Sequence, residues 1–283
     1  MGRLRLVGAA GSAHPTLWSD LGHVNGARVG EDVPVAHSTS GEGVLERVVR
    51  ILEAFTPTDR SLTVGEVSRR AGLPSTTGSR MVADMVEHGL LARDEHRRVR
   101  VGTRLWELAS RASPTVSLRE LAMPVLEELH RTVGHHAQLG VLDGEQVLFV
   151  ERLSADQAVV NYTRIAARLP LHASSSGLVL LAHAPADLQE RVLAGPLARF
   201  TPATPTDPGE LRRRLADVRR DGFVVCPGYL HPEATGIAVP VRDEHRRVAA
   251  AVSVIVPNDD RARDHVPGLA AAARRIEQRL AAH

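Results

Sequence analysis

The chain has 283 residues, a formal net charge of +2 and a single cysteine, Cys226. This length is enough for one large domain or two ordinary ones with a sizeable core. One cysteine excludes an internal disulfide and any metal site built on several cysteines. All 35 basic residues are arginine, and few other groups titrate between the pKa of histidine and that of arginine. The net charge therefore stays slightly positive over a wide pH range, which gives the pI of about 9.3. That pI is weak evidence for a nucleic-acid partner, and the location of the arginines matters more.

Residues 1–42 are rich in Gly, His, Ser and Pro and show no sustained helical or strand period. We therefore expect a disordered N-terminal extension. The first residues contain only a short apolar run, which is too short for a secretory signal, and the chain has no run of about 18 apolar residues that would predict a membrane span. These features predict a cytoplasmic protein with no membrane partner.

Residues 43–102 have the pattern of a winged helix-turn-helix. The segment GVLERVVRILEAF has an apolar face at helical spacing, and Thr63 and Glu66 fit a capping box that opens a second helix. After a two-residue connector, STTGSRMVADMVEHG predicts a third helix that is capped by Ser75 or Thr76. LLAR and DEHRRVRV then predict two short strands around a charged turn. Because a short turn forces a steep crossing between two helices, the third helix should project outward.

The front of the third helix has the composition of a DNA-reading surface. In a helix-turn-helix, the N-terminal residues of the second helix of the motif meet base edges and phosphates, and free amides in its first turn suit a phosphate. Arginines in the wing suit contact with the DNA backbone or minor groove. The candidate DNA-binding residues are Ser75, Thr76, Thr77, Ser79, Arg80, Arg97 and Arg98.

A capping run and a solvated turn would also use these residue types, so the DNA-binding prediction rests on the whole arrangement. Acidic residues nearly balance the arginines of this region. Affinity should therefore depend on local placement and on dimerisation, since two half-sites add their phosphate contacts.

Residues 103–133 predict linker helices: TRLWELASRA, a break at Ser113-Pro114, and a helix opened by a second capping box from Ser117 to Glu120. From residue 134 to 283 the pattern changes. It predicts a hairpin around Asp143-Gly144, a third strand in VVNYTRI, three helices, three more strands and a terminal helix. Asp207 should cap the last of the three helices, with Pro208 as its first residue. This order favours an α+β domain in which helices flank a mostly antiparallel sheet.

The segment LHASSSG places small hydroxyl residues directly before an apolar helix. We expect exposed amides and hydroxyls at Ser174, Ser175 and Ser176 to suit a carboxylate at the helix N-terminus. Apolar strands and the polar Ser253 around them would complete a cavity for a small organic acid. The alternative is that Ser174 is an ordinary helix cap and the other serines are surface residues.

Cys226 ends the apolar strand FVVC, where a cysteine is more often an inert small hydrophobe than a nucleophile. The histidines lack the i, i+4 spacing or the cysteine pairing of specific zinc sites; they include His135, His136, His172 and His231. We therefore predict no metal, no cofactor and no catalytic residues.

Several segments together resemble the IclR family of bacterial transcriptional regulators. They are VLERVVRILEAF, LTVGEVSRRAGLPSTTGSRMVADMVEHGLL, RVRVGTRLWELA, LPLHASSSGLVLLA, VRRDGF and TGIAVPVRDEHRRVAAAVSV, at consistent spacing along the chain. The resemblance implies a winged helix-turn-helix, a linker helix, and a C-terminal effector-binding domain that is a GAF-like α/β sandwich. It also implies dimers or tetramers on a palindromic double-stranded operator.

The resemblance also implies effector contacts by position, at Leu169, Ser175, Ser176, Cys226, Gly236 and Ser253. The serine loop itself adds Ser174. The chain departs from the family pattern at Cys226-Pro227, where an acidic or small polar residue is usual, and at GYLHPEA, which replaces an acidic run. It also has Gly236 where Ser or Cys is common, and Ser75 where a basic residue is common.

We therefore expect a homodimeric or tetrameric transcriptional repressor of a catabolic or metabolic operon, which senses a small organic acid or aromatic metabolite and catalyses nothing. Two alternatives stay open. One is a GAF-like thiol enzyme that uses Cys226 with a nearby histidine, although the chain has no second cysteine to resolve a thiol intermediate. The other is a dimeric scaffold that binds protein through its helical faces.

Overall fold

A computed structural model describes residues 43–56, 59–155, 158–159, 161, 163 and 165–283. The extension predicted at residues 1–42 lies outside this part of the chain. The chain divides into two compact units, one ending at Met81 and the other beginning at Val82. Within the described ranges, no helix combines the length and the apolar character that a membrane span requires.

Three helices open the described chain: α1 (Val44–Glu53), α2 (Val64–Arg70) and α3 (Ser75–Glu87). The predicted capping box is confirmed, because Thr63 Oγ1 accepts a hydrogen bond from the Glu66 amide at 3.2 Å and Glu66 Oε2 accepts from the Thr63 amide at 2.7 Å. Ile51, Leu62 and Val67 are fully or almost fully buried in this unit, so the apolar face read from the sequence is its core.

The cap predicted for α3 is wrong. Ser75 is the first helical residue, and the Pro74 carbonyl accepts the first helical hydrogen bond, from the Gly78 amide at 2.9 Å. The fixed φ of proline is compatible with the start of a helix. Gly78 also lets α3 approach α2 closely, because a Cβ there would lie 2.8 Å from the Ser68 Cβ.

The second unit contains the wing, β1 (Leu91–Arg93) and β2 (Val99–Val101), which pair antiparallel. Two linker helices follow, α4 (Thr103–Ala112) and α5 (Pro114–Val133). The predicted break at Ser113-Pro114 is confirmed, but the capping box from Ser117 to Glu120 is wrong. Ser113 is extended and Pro114 is the first residue of α5. Proline suits that position, so the helix begins four residues earlier than a cap at Ser117 predicts, and it includes Ser117.

Six strands form the main sheet: β3 (His136–Asp143), β4 (Gln146–Leu153), β5 (Arg168–Pro170), β6 (Val224–Pro227), β7 (Ala234–Arg242) and β8 (Val248–Pro257). Their order is β5-β4-β3-β8-β7-β6, and every pairing is antiparallel. The mostly antiparallel sheet predicted from the sequence is therefore confirmed.

The third strand predicted in VVNYTRI is wrong for the residues described there, which belong to no strand. Residues 160, 162 and 164 lie outside the described part. Asn161 Oδ1 accepts hydrogen bonds from the Thr163 amide at 3.0 Å and the Thr163 hydroxyl at 2.8 Å. This local bond takes the donor that a strand ladder would use, and β5 begins later, at Arg168.

Helices cover both faces of the sheet. On one face, α5 and α9 (Val266–Ala281), which follows a 3-10 turn at Ala262–His265, pack on one core. On the other face, α6 (Ser175–Ala182), α7 (Ala186–Ala194) and α8 (Pro208–Asp221) pack on a second core. The Asp207 cap of α8 is confirmed, since Asp207 Oδ1 accepts from the Glu210 amide at 2.6 Å. This unit is an α/β sandwich, and the second core contains the candidate effector site.

Candidate functional site

Strand alternation decides which residues face α6. On β8, Val252 and Val254 point to the core under α5 and α9, so Ser253 points to the opposite face. The register pairs Gln138 of β3 with Ser253, and Gly236 of β7 with Cys226 of β6. Four strands therefore present small or polar side chains beneath the first turn of α6.

A cavity lies at this point, between the sheet and the N-terminus of α6. Its volume is about 40 Å³, counted as the space open to the centre of a water molecule. Its apolar walls include Phe149, Leu169 and Ile255. The other lining residues are Gln138, Asn161, Thr163, Ala173, Ser174, Ser175, Ser176, Cys226, Tyr229, Leu230, His231, Ala234 and Gly236. A cavity of this size suits a compact ligand.

The structure brings together most of the effector residues predicted from the sequence. The predicted residues that line the cavity are Leu169, Ser174, Ser175, Ser176, Cys226 and Gly236. Ser253 does not line it, but its hydroxyl accepts a hydrogen bond from the hydroxyl of Ser176 at 2.9 Å. Ser253 therefore lies directly behind the cavity wall.

The serine loop differs from its prediction in one respect. Ser174, Ser175 and Ser176 are buried, whereas exposed amides were expected. Ser174 caps α6, since its Oγ accepts from the Gly177 amide at 3.1 Å. The amides of Ser175 and Ser176, the first two of the helix, have no acceptor within it. They remain available to an anion, with the helix dipole in their favour.

A chain of hydrogen bonds crosses the floor of the cavity. The Ser176 hydroxyl donates to that of Ser253, which donates to Gln138 Oε1 at 3.4 Å. Gln138 Nε2 then donates to the Thr163 hydroxyl, which donates to Asn161 Oδ1 at 2.8 Å. The chain ends at Asn161 Oδ1, and Nδ2 of the same amide has no partner among the described residues. The cavity floor is thus polar, and the donor and acceptor roles of its side chains are fixed.

Cys226 is a buried wall residue with 2% of its surface exposed. Burial raises the pKa of its thiol to about 12, against a smaller lowering effect of Arg214. A nucleophilic cysteine needs a depressed pKa, so this thiol is inert in the folded protein. The described residues also contain no group of His, Cys, Asp and Glu side chains that would hold a metal ion. His136 and His172 instead donate through Nε2 to the carbonyls of Val159 and Ala198, at 2.7 and 2.9 Å.

Sequence reasoning missed Gln138, Asn161, Thr163 and Tyr229 as cavity residues. Gln138 is a polar residue in an apolar strand, and this signal was available from the sequence. Tyr229 belongs to GYLHPEA, the segment already recognised as a departure from the family pattern. Asn161 and Thr163 carried no such signal, because the segment was interpreted as a strand.

The predicted DNA-binding residues of α3 lie at its front. Ser75, Thr76, Ser79 and Arg80 are exposed, and Thr77 is half-buried. The amides of its first turn have no intrahelical acceptor. The exposed first turn of α3 therefore presents both hydroxyl groups and free amides to solvent.

The wing turn is held by one aspartate. Asp94 Oδ1 accepts from the amides of His96 at 3.0 Å and Arg98 at 2.8 Å. Arg97 is exposed, with a left-handed backbone angle of φ 59°, and Arg98 is half-buried. The turn thus presents Arg97 at its tip and keeps part of the Arg98 side chain against the hairpin.

Two family models match these two regions. The model of the "IclR helix-turn-helix domain" matches residues 44–95, and the model of "Bacterial transcriptional regulator IclR C-terminal" matches residues 111–281. The chain belongs to the IclR family. The predicted family, fold class and general function are therefore confirmed: this IclR-family chain is a transcriptional regulator with a helix-turn-helix DNA-binding domain and a C-terminal effector-binding domain. The thiol-enzyme alternative receives no support from any of these comparisons.

Individual IclR-family proteins give the same result. The chain is 30% identical over 212 residues to the HTH-type transcriptional regulator XynR of Escherichia coli, covering 74% of this chain and 84% of XynR. It is 29% identical over 243 residues to KdgR of the same organism, covering 84% of this chain and 92% of KdgR.

Solved structures of the IclR family are also similar. An IclR homolog from Microbacterium hydrocarbonoxydans, crystallised in complex with 4-hydroxybenzoate, is 48% identical with a TM-score of 0.81, and the match covers 85% of this chain and all of that one. A regulator from Rhodococcus sp. RHA1 is 30% identical with a TM-score of 0.71, and the match covers 83% of this chain and 97% of that one.

Proposed function

We propose that the chain is a repressor that binds a palindromic operator and releases it when a small aromatic or organic carboxylate fills the cavity under α6. The observation that carries this proposal is the cavity itself, with apolar walls and two free helix amides, in a chain 48% identical to a 4-hydroxybenzoate complex. We further propose that residues 43–102 bind DNA, 103–133 link the domains, and 134–283 bind the effector.

The chemistry of the cavity supports a carboxylate with a flat apolar body. No arginine is among the described residues that line it. An anion would therefore be held by the amides of Ser175 and Ser176, by serine hydroxyls and by the dipole of α6. Phe149, Leu169 and Ile255 offer apolar contact to a ring. We assign the effector-binding role to Leu169, Ser174, Ser175, Ser176, Cys226, Gly236 and Ser253, with Ser253 acting through Ser176.

The DNA-binding role falls to the front of α3 and to the wing. Arg80 is exposed on the second turn of α3 and has the fork geometry that binds guanine or phosphate. Hydroxyls and first-turn amides suit phosphate oxygens. The proposed DNA contacts are Ser75, Thr76, Thr77, Ser79, Arg80, Arg97 and Arg98.

Exposed apolar side chains support a dimer or a tetramer. On α1, Val44 and Leu45 are 68% and 76% exposed, and on α4, Trp106 is 73% exposed. Large apolar side chains of this kind mark contact surfaces. We propose a second copy of the chain as the occupant, because a palindromic operator requires two recognition helices related by symmetry. We propose that this assembly acts in the cytoplasm by binding DNA and effector, and that it catalyses no reaction.

The operator experiment uses the full-length chain and DNA from its own upstream region, followed by fluorescence anisotropy. We expect salt-dependent binding, and we expect 4-hydroxybenzoate to weaken it. Arg80→Ala should lose about 1–3 kcal/mol of DNA-binding free energy. Arg263→Ala, at an exposed arginine of the 3-10 turn, is the matched control and should bind as the wild type does. Equal binding by Arg80→Ala would refute the assignment of α3, and tighter binding with effector would refute the repressor mechanism.

The assembly experiment measures self-association by sedimentation velocity. Trp106→Ala should weaken the dimer, because truncating a large anchor removes buried apolar area. Leu142→Ala, at an apolar side chain of β3 that is 36% exposed, should leave the association unchanged. A monomeric wild type would exclude the proposed symmetric binding. Recovery of unaltered 4-hydroxybenzoate after incubation, measured by chromatography, tests the absence of catalysis.

A further inference from the structure

Two polar atoms of the cavity have no hydrogen-bond partner among the described residues. They are Asn161 Nδ2 and the hydroxyl of Tyr229, and both residues line the cavity. Tyr229 is only 4% exposed, so bulk water does not satisfy its hydroxyl. Buried polar groups in folded proteins are almost always paired. A pair of unpartnered groups that faces a ligand cavity therefore indicates what the ligand must provide.

The orientation of Asn161 is fixed by its neighbour. The backbone amide of Thr163 can only donate, and it donates to Asn161 at 3.0 Å. The accepting atom must therefore be the carbonyl oxygen Oδ1, which places the NH2 group at the other position. The hydrogen-bond chain from Ser176 also ends at Oδ1. Asn161 consequently presents a donor to the cavity, and that donor requires an acceptor.

Tyr229 is held in place from several sides. The hydroxyl of Thr201 donates to the carbonyl of Gly228 at 2.6 Å, and that of Thr204 donates to the carbonyl of Tyr229 at 2.7 Å. The guanidinium of Arg214 lies 5.4 Å from the centre of the tyrosine ring, within the range of a cation–π contact. The ring is thus fixed by its backbone on one side and by a cation on another.

The hydroxyl of Tyr229 also stays protonated. Burial is the main cause that raises its pKa above the ordinary tyrosine value, with smaller contributions from neighbouring groups. At neutral pH it is therefore a phenol that can both donate and accept. Its position and that of Asn161 depend on interactions separate from the α6 amides that would hold a carboxylate.

We propose that Tyr229 and Asn161 determine effector specificity by selecting carboxylic acids that carry a second, hydrogen-bonding oxygen away from the carboxylate. This inference rests on the proposed function of the cavity. A hydroxyl or carbonyl oxygen accepts a bond from Asn161 Nδ2 and pairs with the Tyr229 hydroxyl. An unsubstituted acid fills the cavity and leaves both atoms without a partner, so it binds more weakly than an acid that pairs them.

The test measures binding to the full-length wild-type chain by isothermal titration calorimetry. The probes are 4-hydroxybenzoate, benzoate and 4-fluorobenzoate, which match in ring and carboxylate but differ in the second polar group. We expect 4-hydroxybenzoate to bind at least about 10-fold more tightly than the other two. This comparison needs no variant, so it stands even if a substitution damages the fold. Equal affinity for the three acids would overturn the inference and leave the proposed carboxylate site intact.

A variant then assigns the preference to its residue. Tyr229→Phe removes only the hydroxyl, and it should reduce the ratio of the 4-hydroxybenzoate and benzoate affinities several-fold while benzoate affinity stays near the wild-type value. Thr235→Val is the matched control. It removes a buried hydroxyl that donates to Asn258 Oδ1 at 2.8 Å, and Thr235 does not line the cavity. An unchanged ratio in Tyr229→Phe would refute the role of Tyr229. Absence of binding by all three acids would refute the proposed effector class itself.

Discussion

Gly236 determines how closely Ser175 of α6 can approach strand β7. A Cβ at this position would lie 2.8 Å from Ser175 Oγ, which is much closer than ordinary van der Waals contact, and 3.4 Å from Ile255 Cδ1. Glycine is unfavourable inside a strand because it packs poorly and gives up much conformational freedom. The glycine of this chain therefore lets Ser175, part of the proposed carboxylate anchor, pack directly against β7.

We predict that Gly236→Ser lowers the affinity for 4-hydroxybenzoate by about 1–3 kcal/mol, because the added atoms clash with Ser175 at the proposed carboxylate anchor. Calorimetric titration of the variant measures the change. Gly268→Ala is the control, since a Cβ at that position in α9 meets nothing within 4 Å. Wild-type affinity in Gly236→Ser would show that the ligand does not depend on the position of Ser175.

At the scale of elements, one pentapeptide makes the same turn twice. DEHRR occupies residues 94–98 in the wing and 243–247 between β7 and β8. Asp94 Oδ1 accepts from the amide four residues later at 2.8 Å, and Asp243 Oδ1 does the same at 2.8 Å. The fourth residue of each turn has a left-handed backbone, with φ of 59° and 64°. The turn is thus a local property of the five residues, and any DNA-binding role comes from its location.

This repeat provides a matched pair of variants. Asp94→Ala should weaken operator binding by about 1 kcal/mol, because it removes the bonds that order the wing turn. Asp243→Ala removes the same bonds in the effector domain and should leave operator binding unchanged. Anisotropy titrations of both variants decide the matter. An equal loss in both would indicate general destabilisation and would contradict a specific role of the wing.

Features that depend on near neighbours in sequence were partly predictable, and those that depend on distant ones were not. The predicted caps of α3 and α5 were wrong, because each helix begins earlier than its polar residues indicated. The caps at Thr63 and Asp207 involve residues three positions apart, so the sequence contains the whole interaction. The third strand was wrong because strand pairing competes with the local bond from Thr163 to Asn161. Tyr229 was missed for a similar reason, since only the folded chain brings the segment after β6 to the serine loop.

At the scale of the whole effector unit, two neighbouring residues of β4 join the cavity to the linker. Glu151 Oε2 lies 2.5 Å from Arg119 Nη2 of α5, and the Glu151 side chain is 3% exposed. The next residue, Arg152, donates through Nη1 to the carbonyl of Thr163, which lines the cavity. A ligand that moves Thr163 therefore acts on a strand that holds the linker helix. These contacts connect the cavity wall to the linker helix, and we predict that they couple effector binding to the linker.

We predict that Arg119→Met lowers the free energy of unfolding by about 1–3 kcal/mol, because it removes the arginine that pairs with the buried Glu151 carboxylate. It should also reduce the effect of 4-hydroxybenzoate on operator affinity. Urea unfolding and anisotropy measure the two changes. Arg275→Met breaks an exposed ion pair with Glu128 between α9 and α5 and should cost less than about 1 kcal/mol. If both variants had the same stability and the same effector response, the proposed route would be excluded.

The position of Cys226 makes its thiol a probe of motion in the cavity wall. It is the only thiol of the chain, it is 2% exposed, and it forms part of the cavity wall. A thiol reagent reaches it only when the surrounding wall moves, and we expect an effector in the proposed site to cover the same wall. The rate at which Cys226 of the native protein reacts with a small disulfide reagent therefore measures how often the cavity opens. The measurement needs no attached dye or spin label.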